Sequence, residues 1–136
     1  MSESAYDLYW KLVKAIQAGD NETTRGLLSP DFVLHQDEGM PYGGIYRGPD
    51  AFMEHIAHIF GTVWGGTNFT PQFQVVDPDG TRICTVVHLE GKIGPNETPI
   101  ETYVNEIWEF RDGLAVSERN WYWNTAAITK ALAGEA

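Results

Sequence analysis

The last third of the chain most constrains the fold, because it reads as one long antiparallel hairpin. Its arms run from Ile100 to Phe110 and from Leu114 to Asn124, joined by the turn Arg111-Asp112-Gly113. Side chains alternate between the two faces of a strand, and a half-buried strand normally has one apolar and one polar face. One face of the first arm instead carries Thr102, Val104, Glu106, Trp108 and Phe110. A carboxylate among core residues indicates a sheet that lines a pocket.

Composition limits the partners of this 136-residue chain. Nineteen acidic and nine basic residues give a net charge of −10, which disfavours nucleic acids and anionic membranes. No apolar segment approaches the ~20 residues of a membrane-spanning helix. The single cysteine, Cys84, cannot form an internal disulfide, which favours a reducing compartment. We therefore expect a cytoplasmic protein in which residues 1–136 form one domain.

Helices are expected mainly before the strands. An apolar stripe predicts a helix from Ala5 to Ala18, a short second helix follows Asp20 or Asn21 and stops at Ser29-Pro30, and a third begins at Gly48-Pro49 and stops at Gly65-Gly66. The expected strands before the hairpin are Phe32 to Gln36, Ile45 to Arg47, Asn68 to Asp77 and Thr81 to Glu90. A last helix covers Thr125 to Leu132. This order predicts an α+β cone, in which a curved antiparallel sheet packs on three N-terminal helices and encloses a pocket.

Two segments resemble the nuclear transport factor 2-like (NTF2-like) superfamily, in its SnoaL-like, ketosteroid isomerase-like branch. They are Pro41 to Ala51 (PYGGIYRGPDA) and Glu106 to Gly113 (EIWEFRDG). The resemblance covers nearly the whole chain. It implies a cone-shaped pocket of a kind that serves steroid isomerases, polyketide cyclases, epoxide hydrolases, dehydratases and binding proteins without activity.

The resemblance also shows where this chain departs from the known mechanisms. Leu12 stands at the tyrosine position of the steroid isomerases on helix one, and Gln36 stands at the position of their general-base aspartate. Glu106 falls on the position of their protonated acid. Asn120 and Asn124 stand where many cyclases and epoxide hydrolases keep a carboxylate. An amide cannot abstract a proton, so none of these mechanisms transfers unchanged.

Glu106 is the first candidate for catalysis, because a glutamate among apolar neighbours favours its neutral form and can donate a proton. A salt-bridged or rim carboxylate is the alternative. A three-residue turn would place Glu118 opposite Glu106 and bring three more residues to the pocket face, namely Asn120, Tyr122 and Asn124. A two-residue turn, Asp112-Gly113, would place Arg119 opposite Glu106 and turn two tryptophans inward, namely Trp121 and Trp123. The family comparison favours the first register, whereas the second has the more apolar inner face.

Two histidines on predicted strands, His35 and His88, are candidate bases near neutral pH. Either could equally be a surface or structural histidine, and alternation lets only one of His35 and Gln36 face inward. Candidate binding residues are Gln36, Tyr42, Tyr46, Trp108, Glu118, Asn120, Tyr122 and Asn124. His55 and His58 lie three residues apart, but zinc needs three or four ligands, so no metal site is predicted.

The sequence contains no phosphate-binding loop and no dinucleotide fingerprint, and no cofactor is expected. The leading functional hypothesis is acid-base chemistry on a small hydrophobic molecule by an isomerase, cyclase or dehydratase. In it Glu106 is the acid, His35 or His88 is the base, and Asn120 and Asn124 orient the substrate. The alternative is a non-catalytic module that binds a small molecule or dimerises. Aromatic residues on both faces of the hairpin also predict a homodimer through the outer face of the sheet.

Overall fold

The computed structural model describes residues 3–135, which contain four helices and six strands. In chain order they are α1 (Ala5–Gln17), α2 (Asn21–Gly26), β1 (Leu28–Gln36), β2 (Gly44–Arg47), α3 (Gly48–Thr62), β3 (Thr67–Val76), β4 (Arg82–Ile93), β5 (Thr98–Arg111), β6 (Leu114–Tyr122) and α4 (Thr125–Leu132). The predicted α+β class is confirmed. Some boundaries differ: α2 ends at Gly26 rather than at Ser29-Pro30, and β6 ends two residues before Asn124.

The six strands form one open sheet in the order β2-β1-β6-β5-β4-β3. Neighbouring strands are antiparallel except β1 and β6, which are parallel. The sheet is therefore mixed, not wholly antiparallel as expected. The difference arises because the chain leaves β1, passes through α3 and the β3–β5 meander, and returns beside β1 only with β6; such a crossover permits parallel pairing.

The turn between β5 and β6 has two residues, because Arg111 pairs with Leu114. Asp112 and Gly113 both have positive φ, of 54° and 79°, as a type I′ turn requires. Beyond the turn, Phe110 pairs with Ala115 but Glu109 pairs with Ser117, so Val116 is an extra residue on β6. This β-bulge changes which side chains of β6 face inward.

The bulge makes both expected registers wrong in part. Glu106 lies opposite Asn120, and neither Glu118 nor Arg119 is its direct partner. The turn is that of the second register, but the inward face of β6 is the one expected from the first, with Glu118, Asn120 and Tyr122 buried on it. Arg119 is exposed on the outer face and pairs with Ile107.

Two hydrophobic clusters occupy the inner face of the sheet. The first joins α1 and α3 to β1, β4 and β5, and includes Leu12, Phe32 and Phe52. The second lies toward α4 and includes Trp64 and Ile128. Between them the helices leave space over the middle of the sheet, where the polar residues of β5 and β6 lie. No helix among residues 3–135 is long and apolar enough to cross a membrane.

Candidate active site

A row of polar side chains crosses the inner face of the sheet. Asn120 on β6 pairs with Glu106 on β5, and Glu106 pairs with Thr85 on β4. The parallel register of β1 and β6, which pairs Leu34 with Glu118, brings Gln36 beside Asn120. Neighbouring strands are about 4.8 Å apart, so these side chains form one continuous polar row within an otherwise apolar surface.

The polar row forms part of the wall of a cavity of about 120 Å³. Its inner end contains the half-buried Glu106 and six buried residues, namely Glu118, Asn120, Gln36, Trp108, Tyr9 and Tyr122. Its mouth lies between α1, α3 and β3, where the apolar residues Val13, Ile16, Ile56, Phe60 and Phe69 are partly or largely exposed. A molecule entering the cavity therefore passes apolar side chains before it reaches the carboxyls.

Glu106 lies at the centre of the polar row. Burial raises the pKa of its carboxyl to about 7, and the nearby N–H of Trp108 and O–H of Tyr9 lower that pKa in part. The contact with Trp108 is not a normal hydrogen bond, since Nε1 of Trp108 has no partner of acceptable geometry within residues 3–135. The Glu106 carboxyl therefore titrates near neutral pH, and the buried indole N–H near it is left without a partner among the described residues.

Glu118 is the second carboxyl of the cavity and is only 5% exposed. It pairs with Trp108, which is two residues from Glu106 along β5, so the two glutamates are diagonal neighbours on the inner face. Burial, followed by the charge of Glu106, raises the pKa of Glu118 well above its usual range, and a hydrogen bond from Asn120 lowers it in part. Two carboxyls this close in a buried site do not both ionise readily, so the pair retains at least one proton near pH 7.

Asn120 holds Glu118 in place. Its Oδ1 accepts a hydrogen bond from the backbone N–H of Asp37 at 3.2 Å, and its Nδ2 donates to Oε2 of Glu118 at 3.3 Å. Both ends of the amide are thus engaged within the protein. Asn120 lines the cavity and positions Glu118 through these two bonds.

His55 of α3 is buried and orients Gln36. Burial lowers the pKa of His55 to about 4, so the imidazole is neutral near pH 7. Nε2 of Gln36 lies 2.9 Å from Nε2 of His55, a pairing in which the amide donates to the ring nitrogen. The carbonyl oxygen Oε1 of Gln36, which is buried, has no hydrogen-bond partner within the described residues. A buried acceptor of a cavity-lining residue is therefore left without a donor.

A chain of hydrogen bonds reaches the cavity from the opposite side. Nε1 of Trp64 donates to the Tyr42 hydroxyl at 2.8 Å, and the Tyr42 hydroxyl donates to the Tyr122 hydroxyl at 2.8 Å. Burial raises the pKa of Tyr42 to about 12 and that of Tyr122 well above its usual range, so both phenols remain neutral. Because Tyr122 accepts in this bond, its own hydroxyl proton is free to bond to an acceptor in the cavity.

Comparison with protein families identifies the chain. Residues 11–118 match the family model of the SnoaL-like domain. The chain belongs to the SnoaL-like family. A comparison with curated proteins finds no match.

Solved structures show the same fold for this SnoaL-like chain. An NTF2-like protein from Burkholderia thailandensis superposes with a TM-score of 0.82 at 19% identity, covering 96% of this chain and 98% of that one. Bal32a, from a soil-derived mobile gene cassette, gives 0.80 at 16% identity, with 93% and 95% covered. TerC, co-crystallised with polyporic acid, gives 0.78 at 21% identity, with 94% and 97% covered. At these identities the likeness establishes the fold alone.

Several candidates from the sequence lie away from the cavity of this SnoaL-like domain. His35 and His88 alternate with the buried residues of β1 and β4, so they project from the outer face of the sheet. There His35 lies next to Arg119, and Nε2 of His88 is 3.2 Å from Oε2 of Glu101. Neither histidine therefore contacts the cavity, contrary to the expectation that one of them faces a ligand there.

Asn124 is also outside the site. It follows the end of β6, is exposed, and has a left-handed backbone with φ of 55°. Its side chain accepts a hydrogen bond from the N–H of Ala127 and caps α4.

Tyr42 and Tyr46, expected to bind a ligand, lie behind the residues that line the cavity. The centroids of the Tyr46 and His55 rings are 3.9 Å apart, and the Tyr46 hydroxyl donates to the Tyr42 carbonyl.

Two residues of the site were not found from the sequence. Tyr9 lies in the apolar stripe of α1 one turn before Leu12 and lines the cavity with Glu106. His55 lies three residues after Phe52 and four before Ile59, which puts it on the buried face of α3. Helical spacing could have placed both side chains against the sheet, but it gives no sign of which groups they meet there.

The side chains that could share a metal ion among the described residues are His88, Glu90 and Glu101, whose ligand atoms lie within 4.8 Å of one another. They lie on the outer face of β4 and β5, and Glu90 and Glu101 are exposed. Glu101 already accepts a hydrogen bond from His88. This cluster is remote from the cavity and is not part of the candidate active site.

Proposed function

We propose that this protein is a cofactor-independent acid-base enzyme of the isomerase, cyclase or dehydratase type, acting on a small hydrophobic molecule in the cavity. The observation that carries the proposal is the pair of carboxyls, Glu106 and Glu118, at the buried end of an apolar cavity. A group whose pKa lies near the working pH is the best proton donor and acceptor. Glu106 meets that condition, because burial raises its pKa to about 7.

The two carboxyls take complementary roles. Glu118 holds its proton near neutral pH and donates a hydrogen bond, while Glu106 takes a proton from the substrate and returns it. Asn120 holds Glu118, and the free proton of Tyr122 and the N–H of Trp108 are available to a substrate oxygen. Preorganised donors of this kind stabilise charge that develops during the reaction. The pair replaces the histidine base expected from the sequence.

Cavity size limits the substrate. Pockets for drug-sized ligands measure roughly 300–1,000 Å³, whereas an apolar cavity of about 150 Å³ accepts benzene. The cavity of about 120 Å³ here suits a single ring or a short branched chain, with any larger part of the molecule lying against the packed rings of Phe60 and Phe69 at the mouth. The crystallisation of TerC with polyporic acid supports the binding of a ring-bearing molecule by this fold.

Hydrogen exchange in D₂O tests the proposal. The probe is cyclohex-2-enone, a neutral one-ring ketone. Proton NMR follows the loss of signal from the hydrogens on the CH₂ carbon next to the carbonyl as deuterium replaces them. We expect the wild-type protein to accelerate the exchange and Glu106→Gln to reduce the acceleration by ~10²-fold or more. Glu101→Gln removes a carboxylate from the outer face and serves as the control with full activity. Binding of the ketone without any acceleration of exchange would instead favour a binding protein.

A non-catalytic binding or dimerising module is the second candidate. It is favoured by exposed apolar side chains on the outer face of the sheet, which include Phe73, Val75, Trp121 and Trp123. A homodimer through this face is compatible with either function, since the cavity opens on the other side. We also propose that residues 1–136 form one domain. The free Cys84 favours a location in the reducing cytoplasm.

A further inference from the structure

The cavity contains buried acid without any matching base. Glu106 and Glu118 both line it, and its other lining residues in the described part of the chain include no lysine, arginine or histidine. Arg119, the nearest arginine in the β6 sequence, projects from the outer face. Buried carboxylates in proteins are usually paired with a cation, and an unpaired one is costly.

Buried hydrogen-bonding groups add a second, independent requirement. Gln36 lines the cavity, and its Oε1 is a buried acceptor without a donor among residues 3–135; His55 fixes the direction of this oxygen by accepting from the other end of the amide. A ligand that presents N–H groups would satisfy this oxygen and the carboxyls together. An anionic ligand could accept hydrogen bonds from Tyr122 and Trp108, but it would leave the Gln36 oxygen without a donor and would face two acidic groups.

We propose that the ligand of this cavity carries one basic amine, whose ammonium group binds between Glu106, Glu118 and the carbonyl of Gln36. The inference rests on the proposed function only in placing the ligand in this cavity. The apolar mouth takes the rest of the molecule, so the ligand has a hydrophobic ring or chain on one side and the ammonium on the other. The ammonium enters first, because the carboxyls lie at the buried end.

Binding of an ammonium changes the protonation of the pair. Without ligand the two carboxyls share at least one proton near pH 7, so the pair carries at most one negative charge. The ammonium stabilises both carboxylates, and the shared proton leaves to the buffer. With Glu118 ionised, the ammonium takes the place of the proton that Glu118 keeps when a neutral molecule is bound, and Glu106 is an ionised base beside the bound amine.

The other titratable groups around the pair do not change charge in this range. Tyr9 of α1 and Tyr122 of β6 face the carboxyls, and burial raises the pKa of each phenol well above its usual range. His55 of α3, behind Gln36, is neutral because burial lowers its pKa to about 4. Cys84 of β4 has a raised pKa, from burial and the charge of Glu106. Proton release on binding near pH 7 therefore reports the carboxyl pair.

Three probes with the same ring and different charge test the inference: benzylamine, benzyl alcohol and benzoate. Isothermal titration calorimetry at pH 7 in two buffers of different ionisation enthalpy gives both the affinity and the protons released. We expect benzylamine to bind at least ~10-fold more tightly than benzyl alcohol, as for a charge-assisted hydrogen bond. Benzylamine should release about one proton, benzyl alcohol should release none, and benzoate should show no saturable binding.

Variants locate the binding. Glu118→Gln and Glu106→Gln should each reduce the preference for benzylamine over benzyl alcohol to within a few fold, while Glu101→Gln, which removes the same charge from the outer face, should leave it intact. A preference that survives both cavity variants would place the amine on the acidic surface and overturn the inference. Proton release by the wild-type protein is decisive even where a variant fails to fold.

The outcomes separate this inference from the proposed function. If benzyl alcohol binds as tightly as benzylamine and no proton is released, the amine inference is wrong while the cavity remains a site for small hydrophobic molecules. If the neutral probe also fails to bind, the proposed function is wrong as well.

Discussion

Glu106 couples the stability of this protein to pH, because folding moves its carboxyl from water to an apolar cavity. Its folded pKa of about 7 exceeds the ordinary value of 4.5, so the native state binds the proton more tightly than the unfolded chain does. The favourable contribution is complete below the unfolded pKa. It is lost as the pH rises through the folded pKa.

We predict that Glu106→Gln stabilises the protein near pH 7.5 relative to its effect at pH 5. Glutamine keeps the shape and a hydrogen-bond donor but does not titrate. The difference between the two pH values should be on the order of 2 kcal/mol, somewhat less than the full shift in pKa at ~1.4 kcal/mol per unit, because pH 5 lies above the unfolded pKa. Urea unfolding at both pH values measures it, with Glu90→Gln on the exposed face of β4 as the control. A variant that is least stable at neutral pH would mean that Glu106 is ionised and paired in the native state.

Trp108 should report the occupancy of the cavity. It lines the wall beside Glu106 and packs on Phe32 and Phe52, so a ligand at the buried end contacts its indole. We predict that a one-ring ligand changes tryptophan fluorescence and that Trp108→Phe removes most of the change. Trp123→Phe, at an exposed position, is the matched control and should retain it. A signal that is the same in wild type and Trp108→Phe would place the ligand elsewhere.

The strands show how far alternation carries a prediction. The mixed inner face of β5 was predicted correctly from Thr102 to Phe110, since a regular strand places every second residue on one side. The face of β6 could not be settled in this way, because one extra residue exchanges the two faces. That residue is Val116, a β-branched residue typical of regular strands, and the sequence gives no local signal for a bulge there. The parallel contact of β1 with β6 is likewise set by residues about eighty positions apart.

Asn120 and Asn124, near the end of the last strand, have different roles: Asn124 stabilises the fold, whereas Asn120 positions a carboxyl of the cavity. We predict that Asn124→Ala destabilises the protein by about 1–2 kcal/mol, because it removes the N-cap of α4 at a left-handed position, and leaves ligand affinity unchanged. Asn120→Ala should instead raise the pKa of Glu118 further, since that carboxyl loses its hydrogen-bond donor. Urea unfolding measures the first effect, and pH titration of the Glu118 carboxyl by carbon-13 NMR measures the second. A loss of ligand binding in Asn124→Ala would contradict this separation.

Taken as a whole, the molecule has two faces with different chemistry. The inner face is covered by helices and contains the cavity. The outer face exposes Trp121 at 47% and Trp123 at 49%, together with Phe73 and Val75 on the edge strand. A monomer rarely leaves so many large apolar side chains in water unless they form an interface.

We predict that the protein is a homodimer that pairs these outer faces around a two-fold axis. At tens of micromolar, sedimentation should give a mass of about 30 kDa, twice the 15.2 kDa of the chain. Trp121→Glu places a charge in the centre of the apolar surface and should give a folded monomer, because burying an unpaired carboxylate opposes association. Gln17→Glu, at the exposed mouth of the cavity, adds the same charge on the other side and should remain dimeric. A wild-type protein that sediments as a monomer would exclude the dimer, and an equal loss of dimer in both variants would place the interface elsewhere. Because the cavity opens away from this surface, the monomeric Trp121→Glu variant should still bind a one-ring ligand with the wild-type affinity.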